Sequence, residues 1–205
     1  IENMAGASLA AFLMGIAPEI ISTTLHRFGV NRQDNPGRLQ SWQFADMHVL
    51  LDYAHNPEGM QGFLSIAKAF SRSGRLAVLL GQAGNREDDD IRKLADSVAA
   101  FQPNLVVLKD MVGYERGREP GEVPAILHER LLHAGLPADH LRICLDEVAA
   151  VRSILQWSQG GDALALPVHG LNERVAVQAL LDAMQEQGWL PGQALPQLPS
   201  MSAPE

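Results

Sequence analysis

Asp52-Tyr53-Ala54-His55-Asn56-Pro57 follows directly after the apolar run Val49-Leu50-Leu51. The apolar run is typical of a buried strand, and an acid, a histidine and an amide at its end are costly unless they are paired or face a cleft. Pro57 fits the first turn of a helix, where its missing N–H costs nothing. In an open α/β sheet, ligands bind just beyond the carboxyl ends of strands. This segment therefore predicts a strand–turn–helix unit that holds a polar ligand.

Apolar runs and amphipathic stretches alternate along the rest of the chain. Strands are predicted at residues 39–44, 47–52, 75–80, 104–108, 141–145 and 162–166. Helices are predicted between them, at residues 57–72, 88–100, 121–134, 146–158 and 172–187. Strands separated by helices of this length are typical of βαβ units, and continuous apolar strands are typical of a sheet covered on both faces. The predicted fold is α/β and Rossmann-like, with a mostly parallel sheet and helices on both faces.

The two ends of the chain differ from this alternating middle. Helical pieces at residues 3–14 and 18–28 come first, and the turn cluster Asp34-Asn35-Pro36-Gly37 follows them. We place a domain boundary in that cluster, so that residues 1–33 form one part and residues 34–190 the main domain, with a hinge expected near residues 31–37. Residues 191–205 carry prolines at positions 191, 196, 199 and 204 and are predicted to be a disordered tail.

Composition excludes several classes of function. A formal net charge of −8 and a pI of about 5.3 argue against nucleic acid as a partner, since phosphate binding needs clustered Lys and Arg. No apolar run of about 18 residues exists, so no membrane span is expected. The single cysteine, Cys144, excludes an internal disulfide and predicts a buried strand cysteine in a reducing compartment. The chain begins with Ile1 and has no Gly-x-x-x-x-Gly-Lys-Ser/Thr loop, so we expect a fragment of a longer protein.

Four segments, in order, resemble motifs of the Mur ligase superfamily. The hexapeptide at 52–57 resembles the signature of the family's C-terminal domain, and residues 35–39 resemble the Pro-Gly-Arg that opens it. Residues 81–87 resemble the family's Gly-x-x-Gly-Asp-Arg-Asp loop, and the Ala-rich helix at 3–16 resembles the end of its central ATPase domain. The resemblance covers roughly residues 1–185. Within the family, residues 85–90 and 109–118 are most similar to cyanophycin synthetase.

The resemblance implies an ATP-dependent amide (carbon–nitrogen) ligase. Family members activate a carboxylate as an acyl-phosphate, which an amine then attacks. This chain would form the lid over the ATP site and part of the acceptor site for an amino acid or peptide, in the cytoplasm. ATP and Mg²⁺ would be bound mainly by missing upstream domains, the expected protein partners, and the fragment alone is expected to be inactive. A folylpolyglutamate synthase-like ligase and a non-catalytic binding module derived from a ligase stay open as alternatives.

Four residues are predicted from the resemblance to contact the nucleotide: Arg38, Asp52, His55 and Asn56. A carboxylate at a strand end can accept hydrogen bonds from ribose hydroxyls, and an arginine binds phosphate through two donors. Each residue also has a simpler explanation. Asp52 and Asn56 could cap the following helix, and Arg38 could be a surface residue or pair with Asp52. His55 has no nearby nucleophile, so it is not interpreted as a general base.

Five further residues are candidates for substrate binding: Asn85, Arg86, Arg116, Arg118 and His169. The first two lie in a turn whose N–H groups can bind an anion, although the family has Asp where this chain has Asn85. The two loop arginines could hold a substrate carboxylate, or could simply be solvated. His169 stands where several members have Gly-Lys-Gly-His-Glu, and here the Lys is missing. Residues 88–90, all Asp, are interpreted as partners of a helix dipole, so no metal site is predicted.

Overall fold

The structure is a computed structural model that describes residues 2–28, 37–71 and 74–197. The chain divides into two compact units, Ile1–Pro36 and Gly37–Glu205. Their division falls inside the turn cluster at 34–37 where the sequence places a boundary. Most of the hinge expected near residues 31–37 lies outside the described residues.

The first unit contains two helices, α1 (Glu2–Leu13) and α2 (Pro18–Arg27). Both lie within one residue of their predicted bounds. Gly15, between them, has a φ of +85°, a conformation that glycine adopts without strain, and Pro18 begins the second helix. No described residue of α2 is buried. The assignment of this unit to the end of a central ATPase domain stays a prediction.

The second unit is built around a six-stranded sheet. Its strands are β1 (Gln40–Phe44), β2 (Met47–Asp52), β3 (Leu76–Leu80), β4 (Leu105–Leu108), β5 (Leu141–Ile143) and β6 (Ala163–Pro167), in the order β1-β2-β6-β3-β4-β5. β1 pairs with β2 antiparallel, and every other pairing is parallel. The mostly parallel sheet predicted from the sequence is confirmed.

Five α-helices cover the two faces of this sheet. They are α3 (Pro57–Phe70), α4 (Asp88–Ala99), α5 (Glu122–His133), α6 (Glu147–Trp157) and α7 (Leu171–Glu186). The apolar faces of α3, α4 and α5 pack into one buried cluster, and those of α6 and α7 pack into a second. β3, β4 and β6 are buried at every residue, because they are covered on both sides. The three-layer architecture therefore matches the prediction.

Two sequence predictions need correction near the far edge of the sheet. β5 ends at Ile143, not at residue 145, and Arg142 and Ile143 are exposed because β5 is an edge strand. Cys144 lies beyond this strand and is only partly buried, so it is not a buried strand cysteine. Its partial burial raises the pKa of the thiol. An apolar run predicts a strand but does not show whether that strand is central or at an edge.

The predicted disordered tail begins at residue 191, but the structure packs the first part of it against the main unit. Leu195 packs on the cluster beside α7, and the indole N–H of Trp189 donates to the carbonyls of Gln193 and Ala194, at 3.2 Å each. The guanidinium of Arg152 donates to Pro196 O at 3.4 Å. The prediction for residues 198–205 lies outside the described residues.

Candidate functional site

The turn from β2 into α3 forms as the sequence predicts. Asn56 is the N-cap of α3: its side-chain oxygen accepts a hydrogen bond from Gly59 N at 2.8 Å, and Pro57 occupies the first turn. His55, half-buried, donates from Nδ1 to Tyr53 O at 3.0 Å. Its own carbonyl accepts from the amide of Gln82 at 3.1 Å, which ties this turn to the loop after β3. The cap confirms one explanation of Asn56, and its predicted nucleotide contact stays a prediction.

Asp52 and Arg38 both lie in the second unit, Asp52 at the end of β2 and Arg38 just before β1. One carboxylate oxygen of Asp52 accepts from Leu39 N at 2.8 Å, so the acid fixes the segment that leads into β1. The side chain of Arg38 is exposed, and its Cζ lies 5.1 Å from the centre of the Tyr53 ring. The ion pair between Arg38 and Asp52 that the sequence left open is not formed. Arg38 therefore keeps its charge available to a ligand.

Tyr53 connects the groups around the end of β2. Its ring centre lies 5.4 Å from that of His55 and 5.3 Å from that of His169. Arg174, in the first turn of α7, also places its Cζ 5.1 Å from the ring centre. The parallel pairing of Asp52 with Pro167 explains the proximity, because β2 and β6 end side by side. Neither Tyr53 nor Arg174 belongs to the residues predicted from the sequence.

A buried polar triad lies at the same edge of the sheet. Lys109 follows β4, Glu147 begins α6 and His169 follows β6. The ammonium of Lys109, fully buried, donates to a carboxylate oxygen of Glu147 and to Nδ1 of His169, the latter at 2.9 Å. The carboxylate also accepts from the backbone N–H groups of His169 and Gly170, at 2.9 and 3.0 Å. Four hydrogen bonds from three donor groups thus satisfy the buried charges, as burial requires.

Electrostatics fix the protonation state of His169. Burial and the neighbouring Lys109 charge lower the pKa of His169 from 6.5 to about 3, so the ring is neutral near pH 7. Since Nδ1 accepts from Lys109, the proton lies on Nε2, which donates to Ala54 O at 3.0 Å. Burial lowers the pKa of Lys109 as well, and the adjacent Glu147 opposes that shift. The triad therefore connects three loops to the 52–57 turn.

Arg118 holds the loop after β3 in place. Its guanidinium donates to the carbonyls of Gly84 and Arg86, at 3.0 and 2.9 Å, and forms 2.7 Å ion pairs with Asp88 and Glu122. These acids raise the pKa of Arg118. Gly84 N donates to Tyr114 O at 2.8 Å, and a side chain at Gly84 would collide with the carbonyl of Glu115. Glycine is therefore required where the two loops touch.

Three of the four remaining predicted substrate residues are on the surface of these loops. Asn85, Arg86 and Arg116 are exposed, and the Cζ of Arg116 lies 5.4 Å from the Tyr114 ring centre. The side chain of His169 is buried and both ring nitrogens are bonded, so a ligand could contact it only after rearrangement. Substrate contacts by these residues stay predictions. Residues 88–90 pair with Arg92, Lys93 and Arg118 in the first turn of α4.

The described part of the chain was searched for metal-binding clusters and for membrane-spanning helices. In residues 2–28, 37–71 and 74–197, no group of three or more His, Cys, Asp or Glu side chains could hold a metal ion. Within the same ranges, no helix is both long enough and apolar enough to cross a membrane.

The structure adds four residues to the site that the sequence analysis did not assign: Tyr53, Lys109, Glu147 and Arg174. A signal was present for one of them, because Lys109 directly follows the fully buried strand Leu105–Leu108. A lysine at that position has to find a partner or leave the core. Its partner is contributed by α6, which is 38 residues away in sequence, and no local pattern connects them.

Comparison with known families identifies the second unit. Residues 37–166 match the family model of the Mur ligase glutamate ligase domain, which covers more than half of the chain. The chain belongs to this family. The matched range begins at Gly37, where the second compact unit also begins.

Within this family, the chain is similar in sequence to cyanophycin synthetases. It is 33% identical over 168 residues to a cyanophycin synthetase of Crocosphaera subtropica and 30% identical over 168 residues to one of Synechocystis sp.. In both cases the match covers 82% of this chain but 19% of the relative, so the chain spans about a fifth of their length. A UDP-N-acetylmuramoyl-L-alanyl-D-glutamate–2,6-diaminopimelate ligase of Aquifex aeolicus is 27% identical over 80% of this chain and 31% of its own.

Solved structures agree on the fold. A UDP-N-acetylmuramoyl-L-alanyl-D-glutamate–2,6-diaminopimelate ligase superposes with a TM-score of 0.55 at 20% identity, over 90% of this chain and 38% of that one. A folylpolyglutamate synthase of Mycobacterium tuberculosis, complexed with ADP and AMPPCP, superposes with a TM-score of 0.53 at 18% identity, over 72% of this chain and 32% of that one. At such identities the likeness concerns the fold alone.

Proposed function

We propose that this chain is the C-terminal domain of an ATP-dependent amide ligase that acts through an acyl-phosphate. In this proposal the domain forms the lid over the ATP site and part of the site for the incoming amino acid or peptide. Family membership supports the reaction class, and the glutamate ligase domain of the family model and the diaminopimelate ligases among the relatives favour an amino-acid acceptor. The activity and the substrates are proposed for the whole protein. The cyanophycin synthetase of Synechocystis sp. is about five times as long as the segment that matches this chain.

One observation carries the nucleotide part of the proposal: three polar groups with unused capacity meet where β2 ends. Asp52 has one carboxylate oxygen without a bond in the described structure, His55 has Nε2, and Arg38 has its whole guanidinium. A carboxylate can accept from ribose hydroxyls, and an arginine can bind phosphate oxygens through two donors. The carboxyl edge of a parallel sheet is also where ligands of such folds bind.

The chemistry requires two bond exchanges. An oxygen of the substrate carboxylate attacks the γ-phosphorus of ATP and ADP leaves; the amine then attacks the acyl carbon and phosphate leaves. In this proposal Arg38 and Asp52 hold the nucleotide, and closure of the domain excludes water from the acyl-phosphate. Mg²⁺ belongs to the proposal only through the upstream domains. The described residues offer no cluster that could hold it, so no step is assigned to a metal here.

The test is amino-acid-dependent ADP release by the full-length protein. Mg-ATP is supplied with Asp, Arg, Glu or Ala, and in a separate arm with folate or peptide acceptors. We expect release that needs one carboxylate donor and one amine, and that falls at least roughly a hundredfold in Asp52→Ala, because the charged contact with the ribose hydroxyls is lost. A folate-dependent response would identify the folylpolyglutamate synthase-like alternative.

Two controls define failure. The 205-residue chain alone should release no ADP, and release by it would refute the assignment as a lid. Exchange of Asp139, an exposed acid in the 3₁₀ turn Ala138–His140, for Ala should leave activity unchanged. No release by the full-length protein with any acceptor would favour a non-catalytic binding module.

A further inference from the structure

Arg174 is positioned over the end of β2 although it lies more than a hundred residues away in sequence. It sits in the first turn of α7, which follows β6, and β6 is the parallel neighbour of β2. Its Cζ lies 5.1 Å from the centre of the Tyr53 ring, the same distance as the Cζ of Arg38. The two guanidinium carbons therefore cannot be further apart than twice this distance. A single ligand with several negative oxygens can contact both.

The guanidinium of Arg174 is fixed before any ligand arrives. Nη2 donates to His169 O at 3.2 Å, and the ring of Tyr53 supports the charged group. Gly37 lies against its other side, where a Cβ would come within 2.6 Å of Nη1. A residue with a side chain at this position would push the arginine away. The glycine before Arg38 thus allows the two arginines to approach the same ring.

Arg174 is also electrostatically unsatisfied. Among the described residues, no acid pairs with Arg174 or with Arg38. Nε of Arg174 is buried without a hydrogen-bond partner, the one such side-chain atom in the described part of the chain, and Nη1 carries donors that no described residue accepts. Buried polar atoms without partners are rare in native structures, and each calls for an explanation.

We infer that Arg174 is a second phosphate-binding arginine of the proposed nucleotide site, which contacts the phosphates of a nucleoside triphosphate together with Arg38. The inference rests on the proposed function for the identity of the ligand. A phosphate group is the class of ligand that fits best, because it carries more negative charge than a carboxylate and presents three oxygens to planar, two-donor groups. Two unpaired arginines on one aromatic ring match that charge.

The experiment compares the KM values of the full-length protein for ATP and for the amino acid, and its Kd for inorganic tripolyphosphate and for adenosine. In Arg174→Ala we expect the KM for ATP and the Kd for tripolyphosphate to rise roughly tenfold, the loss of one charged contact. The KM for the amino acid and the Kd for adenosine should not change. Arg174→Lys, which keeps the charge without the fork, should give an intermediate rise.

The matched control is Arg142→Ala, which removes an exposed arginine from β5, at the edge of the sheet furthest from β1. It should leave all four constants unchanged. Unchanged ATP and tripolyphosphate constants in Arg174→Ala would overturn the inference, as would a rise only in the amino-acid KM, which would indicate a carboxylate site. An equal rise for all four ligands would also overturn it, because that result indicates general distortion.

The two proposals can fail separately. Tripolyphosphate binding that depends on Arg174, without any ADP release, would refute the ligase proposal and support the anion site. ADP release with an unchanged KM for ATP in Arg174→Ala would support the ligase proposal and refute the role of Arg174 in phosphate binding.

Discussion

The loops after β2 and after β4 lie at the same edge of one sheet but carry their charges differently. After β4, Lys109 pairs with Glu147, and Arg118 pairs with Asp88 and Glu122. Around the end of β2, Arg38 and Arg174 contact the Tyr53 ring, and no acid among the described residues pairs with either. The first region uses its charges to hold the fold. The second keeps them available, which is what a site for an anionic ligand requires.

An arginine in a loop at the carboxyl ends of the strands is therefore not by itself a ligand-binding residue. Arg118 and Arg38 fit the same sequence argument, since both stand in Gly-flanked loops. Only their partners separate them. Ion-paired and carbonyl-bonded arginines stabilise loops, whereas an unpaired arginine next to a fixed aromatic ring can bind a ligand without breaking a bond.

The largest expected effect is on the buried triad. Lys109→Met should lower the free energy of unfolding by about 3 to 5 kcal/mol, because it leaves the buried carboxylate of Glu147 without its cation. Urea unfolding followed by tryptophan fluorescence measures this. The control is Lys93→Met, which breaks an exposed ion pair with Asp90 and should cost under about 1 kcal/mol. An equal decrease in the free energy of unfolding in the two variants would show that the buried triad does not stabilise the fold.

The pH dependence of stability tests the neutral state of His169. Its folded pKa of about 3 lies below the unfolded value of 6.5, so the unfolded chain binds more protons between these values and stability falls as pH falls. From pH 7 to pH 5 this histidine should remove about 2 kcal/mol. The measurement is urea unfolding at both pH values, with His169→Gln as the variant without a titrating ring. If the variant loses as much stability as the wild type, the histidine is not responsible.

Arg118→Ala should have a smaller effect, a loss of about 1 to 2 kcal/mol, because its four bonds to the loops are partly exposed. The KM for ATP should stay within about twofold of the wild-type value if the arginine serves only the fold. The conservative variant Arg118→Lys should recover part of the stability. A large rise in a substrate KM at unchanged stability would instead support the substrate contact predicted from the sequence.

The smallest expected effect on stability is that of replacing Arg38, beside the end of β2. Arg38→Ala should change the free energy of unfolding by no more than about 0.5 kcal/mol, since its side chain is exposed and has no acid partner. In the full-length protein the same variant should raise the KM for ATP roughly tenfold, for the loss of one charged contact. Parallel urea unfolding of Arg118→Ala completes the comparison. The contrast between the regions breaks down if Arg38→Ala proves the more destabilising of the two.

Much of the fold could be predicted because its signals are local. The apolar runs, the caps Asn56 and Asp146, and the proline at the start of α3 place most strands and helices within two residues. β5 was predicted too long, because the apolar run does not reveal that the strand lies at an edge. The disordered tail was predicted from proline content, yet Leu195 packs on the apolar cluster and the carbonyls of Gln193 and Ala194 accept from Trp189.

The candidate site was less predictable, for a physical reason. Sequence motifs named Arg38, Asp52, His55 and Asn56 as candidates, and these lie close to one another in the chain, just before β1 and around the end of β2. They did not identify Arg174 or Glu147, because their neighbours at the site come from strands and helices distant in sequence. A hydrogen bond across 38 residues depends on which strands lie side by side.

Three features follow from short-range chemistry or from motif order and could be read from the amino acids alone: the alternation of strands and helices, the turn at residues 52–57 and the membership of a ligase family. Tertiary structure alone decided which charges are neutralised. Parallel pairing of β2 with β6 places Arg174 beside Tyr53, and packing of α6 places Glu147 under Lys109. Whether a charged side chain stabilises the fold or stays available to a ligand depends on the partners that the folded chain brings within reach.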